Sequence, residues 1–309
     1  MTAKPPIRRY IALSDFMLLL VAIVWGSSYV AAKQVLQIYP VLGILALRFG
    51  ISFVLLSPSL RAIRQAEKRD VVHAIGTGLL MLAILSAEMS GVMLTTAANA
   101  AFLISLCVGF TPLVEWIVLN RRPTLPVWLA VAVSILGAAM LTGGGPLRPN
   151  MGDALILLAA VLRALNVCVT KRTMQGTSLS SLSVTALQSG TVTIGSVLIA
   201  TIMAPHALPA LPSFFAHVGF WGGVAYLSVM CTLFAFFAQN YALKRSSPTR
   251  ASLLMGSEPA FGAVFAALLL GESISVIGWI GGGLIVVASM MSTMALSEAP
   301  ILSEALTKP

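Results

Sequence analysis

Ten apolar segments, each about as long as a bilayer is thick, constrain what this 309-residue chain can fold into. A helix that crosses the hydrocarbon core needs about 20 predominantly apolar residues. Strands are not expected, because the open edges of a sheet leave backbone groups unsatisfied in lipid. The sequence therefore predicts an all-α integral membrane protein with ten transmembrane helices, at residues 15–35, 40–60, 71–94, 97–119, 125–142, 151–171, 181–204, 214–243, 249–270 and 274–294.

The overall composition supports the same fold class. Hydrophobic residues make up 58% of the chain and charged residues only 9%, whereas a soluble domain carries roughly 25% charged residues. The net charge is +9, but the basic residues lie in short loops between apolar segments. They are interpreted as topology signals, so membrane lipid is expected as a partner and nucleic acid is not.

The distribution of lysine and arginine predicts the orientation of the chain. With the N-terminus inside, fifteen of the 19 basic residues lie on the inner side. Lys33 and Arg148 lie outside, and Arg48 and Arg163 lie within helices. Short cytoplasmic loops carry an excess of basic residues. An even number of spans with both termini in the cytoplasm is therefore expected.

The two halves of the chain resemble each other weakly. Residues 101–122 lie 150 positions before residues 251–272, and both stretches are apolar with polar or charged ends. Residues 15–33 and 153–171 align at an offset of 138, each running from an aspartate through an apolar helix to a lysine. These two alignments indicate an internal repeat of five helices.

An odd number of helices per repeat makes the halves cross the membrane in opposite senses. Equivalent loops should then exchange their basic character, and the loop at 61–70 is basic whereas its counterpart at 204–213 has no lysine or arginine. The sequence predicts two inverted-topology repeats, residues 1–147 with helices one to five and residues 148–309 with helices six to ten and a short cytoplasmic tail. In transporters built this way, the substrate site lies at the repeat interface near the midplane.

Short motifs recur along the chain in the order and spacing of a known transporter family. They are the sequence WGSSY at 25–29, LRF at 47–49, residues 95–102, SPTRA at 247–251, EP at 258–259 and LGE at 270–272. With these motifs the chain resembles the EamA-type ten-helix transporters of the drug/metabolite transporter superfamily. The resemblance implies proton-linked or gradient-driven transport of small metabolites, often amino-acid export, across a bacterial inner membrane. Each repeat is then an EamA-like repeat.

Four ionisable residues fall inside the predicted helices: Arg48, Glu88, Arg163 and Glu258. A charge at the bilayer centre costs about 2.5–3.5 kcal/mol on insertion scales, so such residues are functional candidates. Arg48 and Arg163 are candidates for binding a substrate carboxylate, since a guanidinium matches its geometry. Glu88 and Glu258 are candidates for proton coupling. Interhelical salt bridges that hold the halves together are the alternative.

Polar and aromatic residues of the predicted helices could line an amphipathic cavity. Trp25 and Tyr29 are one turn apart and share a helix face. Asn166 and Gln239 add hydrogen-bonding capacity to the sixth and eighth helices. These four residues are further substrate-binding candidates. The alternative for Trp25 is packing between helices.

Prolines in corresponding helices predict interruptions. Pro112 and Pro259 each remove a backbone hydrogen bond one turn back, and paired breaks in equivalent helices are a sequence pointer to a binding site. Simple kinks that aid packing are the alternative. Glu115, near the inner end of the fourth helix, is interpreted as a solvated edge group.

Nothing in the sequence predicts a metal, a cofactor or enzymatic chemistry. The three cysteines are interpreted as packing residues because no pair has the spacing of zinc ligands. Nucleophilic catalysis needs an activating base, and the histidines lie at helix ends or in loops: His73, His206 and His217.

The function that these features favour is secondary transport of a small-molecule substrate by alternating access, with amino acids or related compounds as exported substrates. A multidrug or cation efflux carrier is the main alternative. An intramembrane enzyme and a passive channel are further alternatives, and homodimer formation is left open.

Overall fold

The computed structural model describes residues 7–95, 97–141, 143, 150–203, 210–270 and 273–295. Every regular element in these ranges is helical, as expected of a backbone that satisfies its own hydrogen bonds in lipid. A 3₁₀ segment (Ser57–Gln65) and a π-helical segment (Val229–Phe234) accompany the α-helices. The α-helices are α1 (Ile7–Leu36), α2 (Val41–Leu56), α3 (Lys68–Leu94), α4 (Ala97–Ser105), α5 (Cys107–Leu119), α6 (Leu125–Leu141), α7 (Met151–Met174), α8 (Ser181–Met203), α9 (Val218–Ser228), α10 (Ala235–Arg245), α11 (Pro248–Met255), α12 (Glu258–Leu270) and α13 (Val276–Ala295).

Many of these helical stretches have the length and composition of membrane spans. Large hydrophobic side chains are exposed along them, as a lipid-facing surface requires. An all-α membrane protein is thereby confirmed. The six stretches that are long and apolar enough to cross a bilayer are Val41–Gln65, Lys68–Leu94, Phe102–Leu119, Met151–Met174, Ser181–Met203 and Val218–Arg245. Shorter apolar helical stretches are Leu13–Ser28, Leu125–Leu141 and Val276–Met291.

The fourth and ninth expected segments are each divided into two helices. Leu106 separates α4 from α5, and its N–H donates to the Leu103 carbonyl, three residues back. Gly256 and Ser257 separate α11 from α12, and the Ser257 N–H likewise donates to Leu254. Leu106 and Gly256 are 150 positions apart, which is the offset of the sequence repeat. The two interruptions are therefore separated by the offset that the sequence predicts for the repeat.

The prolines do not themselves form these breaks. The prediction of an interruption at Pro112 is wrong, because α5 continues through this residue. Its missing N–H is tolerated because helices in lipid accept proline where neighbouring groups compensate. Pro259 is the second residue of α12, where a missing N–H costs no helical hydrogen bond. Pro259 thus follows its break rather than causing it.

Glycines allow the closest helix contacts. A Cβ atom added to Gly137 of α6 would lie 2.6 Å from the Gly281 carbonyl oxygen of α13. On the other side of the molecule, a Cβ on Gly26 of α1 would lie 2.7 Å from the Gly262 nitrogen of α12. Only residues without a side chain let the helix backbones approach so closely. The Gly26 contact places α1 directly against the first turns of α12.

Candidate substrate site at the helix breaks

A small cavity of about 20 Å³ lies where the two divided helices are interrupted. The end of α4, the start of α5, the end of α11 and the start of α12 form its wall together with α7. Most of the wall is apolar, and Arg163 and Glu258 are its charged residues. The other side chains of the wall include Ile104, Ser105, Cys107, Val167, Ser252 and Met255.

The two charged residues of the cavity form an ion pair. Nη2 of Arg163 lies 3.4 Å from Oε2 of Glu258, and their side chains are 19% and 9% exposed. Compact charge-assisted hydrogen bonds between these group types measure about 2.7–2.9 Å. The contact joins α7 of the second half to the first residue of α12. It is therefore an ion pair in the wall of the cavity, longer than a compact charge-assisted hydrogen bond.

Trp25 lies directly against this pair. The guanidinium carbon of Arg163 is 4.8 Å from the centre of the Trp25 ring, within the range of a cation–π contact. The Trp25 indole N–H donates to the Cys231 carbonyl at 3.0 Å, and its ring packs 5.5 Å from that of Phe236. Trp25 consequently fills space between helices and also orients the cavity arginine.

Arg48 has a different environment. Its Nε donates to the Thr232 hydroxyl, and its Nη2 donates to the Cys231 carbonyl at 2.9 Å. Both acceptors belong to the π-helical segment, in which the Ala235 N–H donates to the carbonyls of Met230 and Thr232 and bypasses Cys231. Arg48 thus fastens α2 to this segment, and it is not part of the cavity wall.

Glu88 completes the group of intramembrane charges. It lies on α3 and is partly buried, and the charges of Arg163, Glu258 and Arg48 act on its carboxyl group. Within the described structure, Glu88 makes no hydrogen bond or ion pair. The two arginines and two glutamates balance one another in charge.

Two predicted amides lie outside the cavity wall. Asn166 on α7 and Gln239 on α10 are each 5% exposed. The oxygen atoms Oδ1 of Asn166 and Oε1 of Gln239 have no hydrogen-bond partner in the described part of the chain. Tyr29 belongs to α1, but its side chain lies outside the described residues. The cavity therefore brings together Arg163 and Glu258, with Trp25 against them.

Sequence reasoning misjudged the C-terminal end of α5. The interpretation of Glu115 as a solvated group is wrong, because this side chain is 5% exposed. Its Oε2 accepts hydrogen bonds from the Thr249 N–H at 2.8 Å and from the Thr249 hydroxyl at 2.5 Å. A carboxylate is stabilised at a helix N-terminus by unpaired N–H groups. No sequence spacing connects residues 115 and 249, so only the fold shows this contact.

Comparison with known proteins places these features in a family. The model of the EamA-like transporter family matches residues 12–143 and again residues 150–294. The chain is 27% identical over 282 residues to the uncharacterized inner membrane transporter YedA of Escherichia coli, covering 88% of each protein. It is 24% identical over 278 residues to a probable terminal-alkyne amino-acid exporter of Streptantibioticus cattleyicolor, covering 89% of this chain and 91% of that one.

The fold is also known from a solved structure. A crystal structure superimposes with a TM-score of 0.75 at 16% identity, over 96% of this chain and 99% of the other. At this identity the likeness concerns the fold alone. The family model matches two stretches that together cover most of the chain, and this match identifies the family as well as the fold. The chain belongs to the EamA-like transporter family and is a membrane transporter rather than an enzyme.

Proposed function

We propose that this protein is a secondary transporter that exports amino acids or closely related zwitterions by alternating access. The observation that carries the proposal is the position of the cavity. It lies between two helices that are interrupted at equivalent places, and it contains an arginine and a glutamate. Substrate sites of secondary transporters are typically formed by such discontinuous helices at the repeat interface.

The proposed architecture is two inverted repeats of five spans, residues 1–147 and 148–309. In this architecture each helix of the first repeat has a counterpart in the second. The counterparts are α1 and α7, α2 and α8, α3 and the pair α9 and α10, the pair α4 and α5 and the pair α11 and α12, and α6 and α13. The packing follows this correspondence: α3 packs against α7 as α9 and α10 pack against α1, while α2 contacts α8 and α6 contacts α13. The two matches of the family model support the same division.

The proposed location is the inner membrane of a bacterial cell. In the proposed orientation, both termini lie in the cytoplasm. The excess of basic residues in one set of loops supports the orientation, and the description of YedA as an inner membrane transporter supports the location. Reporter fusions at each terminus and in the loop at 121–124 test it. Cytoplasmic activity at all three sites is expected, and a periplasmic signal at either terminus contradicts it.

The cavity suits a substrate that carries both a carboxylate and an ammonium group. Arg163 would bind the carboxylate, Glu258 would bind the ammonium group, and the apolar wall around Val167 and Met255 would contact the side chain. A zwitterion replaces the existing ion pair without leaving a buried charge unpaired, which would be costly. The named amino-acid exporter among the relatives supports this substrate class and the direction of transport.

The flux test uses the purified protein in proteoliposomes. Vesicles loaded with one unlabelled amino acid at a time are diluted into the same labelled compound, so that counterflow reports substrate exchange. Apolar L-amino acids are expected to exchange, whereas the matching amines and carboxylic acids, which lack one of the two charges, are not. Exchange of the amines alone would instead favour cation efflux. That alternative rests on Glu258 and the Trp25 ring, but the positive charge of Arg163 opposes it.

Proton coupling is proposed for Glu88 and Glu258. A proton and the ammonium group of the substrate would compete for the Glu258 carboxylate, and Glu88 interacts electrostatically with both Glu258 and Arg163. Glu88→Gln mimics a permanently protonated carboxyl group. We expect this variant to retain counterflow and to lose most of the stimulation of net transport by an imposed pH gradient. Unchanged stimulation by the gradient contradicts the role of Glu88.

A further inference from the structure

Two carboxylates of the first half hold the start of α11. Asp15 of α1 accepts hydrogen bonds from Nε of Arg250 at 3.0 Å and from Nη2 at 2.5 Å. The side chains of Arg250 and Asp15 are 7% and 14% exposed. Glu115 of α5 accepts the two hydrogen bonds from Thr249 described above. Paired, charge-assisted contacts of this geometry are among the strongest side-chain interactions.

The equivalent end of the other half is held less firmly. Asp153 of α7 corresponds to Asp15 at the repeat offset of 138, and it is also buried. Its Oδ1 accepts a hydrogen bond from the Thr95 hydroxyl at 2.5 Å. Its Oδ2 has no hydrogen-bond partner in the portion of the chain that the structure covers. Asp153 is thus held by a neutral hydroxyl, whereas Asp15 is held by the guanidinium of Arg250.

The start of α11 is mechanically connected to the cavity. α11 has eight residues and is separated from α12 by the break at Gly256 and Ser257. Its last two turns contribute Ser252 and Met255 to the cavity wall. A displacement of α11 would therefore move part of the cavity wall.

We propose that the contacts of Asp15 with Arg250 and of Glu115 with Thr249 form an inner gate, and that the contact of Asp153 with Thr95 forms a weaker outer gate. This proposal rests on the alternating-access function and the orientation proposed above. Because the inner gate is closed by a buried bidentate ion pair and the outer gate by a hydroxyl, the substrate-free protein opens more readily to the outside. Loss of the Asp15 charge increases the population of the conformation that is open to the inside.

Cys107 supplies a reporter for the test, since it lies in the cavity wall. Cys168 and Cys231 are buried free cysteines and are replaced by alanine to give a protein with one thiol. The rate of labelling by a membrane-impermeant maleimide is measured in right-side-out and in inverted vesicles. The parent protein is expected to label faster from the outside. Asp15→Asn is expected to raise the rate from the inside by roughly tenfold, because a buried charge loses its partner.

A matched carboxylate provides the control. Asp70, on α3, accepts a hydrogen bond from the Thr177 hydroxyl at 2.6 Å and makes no contact with α11. Asp70→Asn removes the same charge and is expected to leave the labelling rates within about twofold. The reversed pair Asp15→Arg with Arg250→Asp should restore slow labelling from the inside, since coupled residues compensate each other. Thr95→Val should raise labelling from the outside by only a few fold.

Three results would overturn the proposal: unchanged labelling in Asp15→Asn, equal increases from both sides, or the same increase in Asp70→Asn. Thermal unfolding in detergent identifies a general loss of structure, which the reversed pair should not show. The labelling rates do not depend on finding the transported compound. If the rates change as expected while no zwitterion is exchanged, the substrate proposal fails and the gates stand. If exchange occurs and the rates do not change, only the gates fail.

Discussion

Arg163 and Arg48 carry the same charge inside the same bundle, yet their partners differ. Arg163 contacts a carboxylate at 3.4 Å and an aromatic face at the wall of a cavity. Arg48 donates to a backbone carbonyl and a hydroxyl in a π-helical segment. A substrate carboxylate can take the place of a side-chain carboxylate, whereas a substrate cannot supply the helix backbone that Arg48 uses. Burial of a charge therefore does not distinguish a binding site from a structural contact, but the nature of its acceptors does.

The largest expected effect is on transport by Arg163→Ala. Removing the guanidinium deletes the group that would bind the substrate carboxylate, and loss of one member of a charge pair at a binding site costs several kcal/mol. Counterflow should fall at least about 100-fold, with the melting temperature within a few degrees of the parent. Arg163→Lys keeps the charge without the planar geometry and should recover only part of the rate. Normal counterflow by Arg163→Ala would remove this residue from the site.

The next effect concerns stability and is expected from Arg48→Ala. The variant loses hydrogen bonds to Thr232 and Cys231 and leaves a buried carbonyl less well satisfied. A hydrogen bond to a charged group contributes about 1.5–3 kcal/mol and two are lost, so the melting temperature should fall clearly more than in Arg163→Ala. Transport per folded molecule should stay within about threefold. A raised substrate KM with unchanged thermal stability would instead place Arg48 in the binding site.

A smaller effect on transport is expected from Gly26→Ala. The added Cβ would lie 2.7 Å from the Gly262 nitrogen and 2.8 Å from the Glu258 carbonyl oxygen, so α12 must move away from α1. This displacement changes the distance from Glu258 to Arg163 and leaves the Arg48 contacts intact. Counterflow should fall by roughly tenfold, since misplacement by about 1 Å has large effects on bound geometry.

Gly76→Ala is the matched control for this glycine. Gly76 lies within α3, and a Cβ added there would meet nothing within 4 Å. Alanine at an open helical position should preserve transport and raise stability slightly, because alanine has the higher helix propensity. Equal losses in both variants would show that the α1–α12 contact has no special role.

The fold was predictable from the sequence to the extent that lipid imposes it. Apolar length, proline and glycine positions and basic loops all report directly on the bilayer. The helix breaks were expected in the right helices but at the wrong residues, because Leu106 and Gly256 carry no local signal as strong as a proline. The partners of Arg48 and Glu115 could not be predicted, since they are backbone groups or hydroxyls more than 100 positions away. Contacts of that kind depend on how helices pack, which no local pattern specifies.

The smallest expected effect is that of Trp25→Phe, a change at the residue that lies between the two arginines. The Cys231 carbonyl accepts hydrogen bonds from both the Trp25 indole and Arg48. Trp25→Phe keeps an aromatic face beneath Arg163 and deletes only the indole donor, while Arg48 still satisfies the carbonyl. A single hydrogen bond contributes about 1 kcal/mol. Counterflow should therefore change by only a few fold, and the melting temperature by only a few degrees. Trp25→Ala removes the face as well, so its larger loss should match that of Arg163 rather than that of Arg48. A Trp25→Ala protein that is destabilised like Arg48→Ala but transports normally would show that the ring serves only packing.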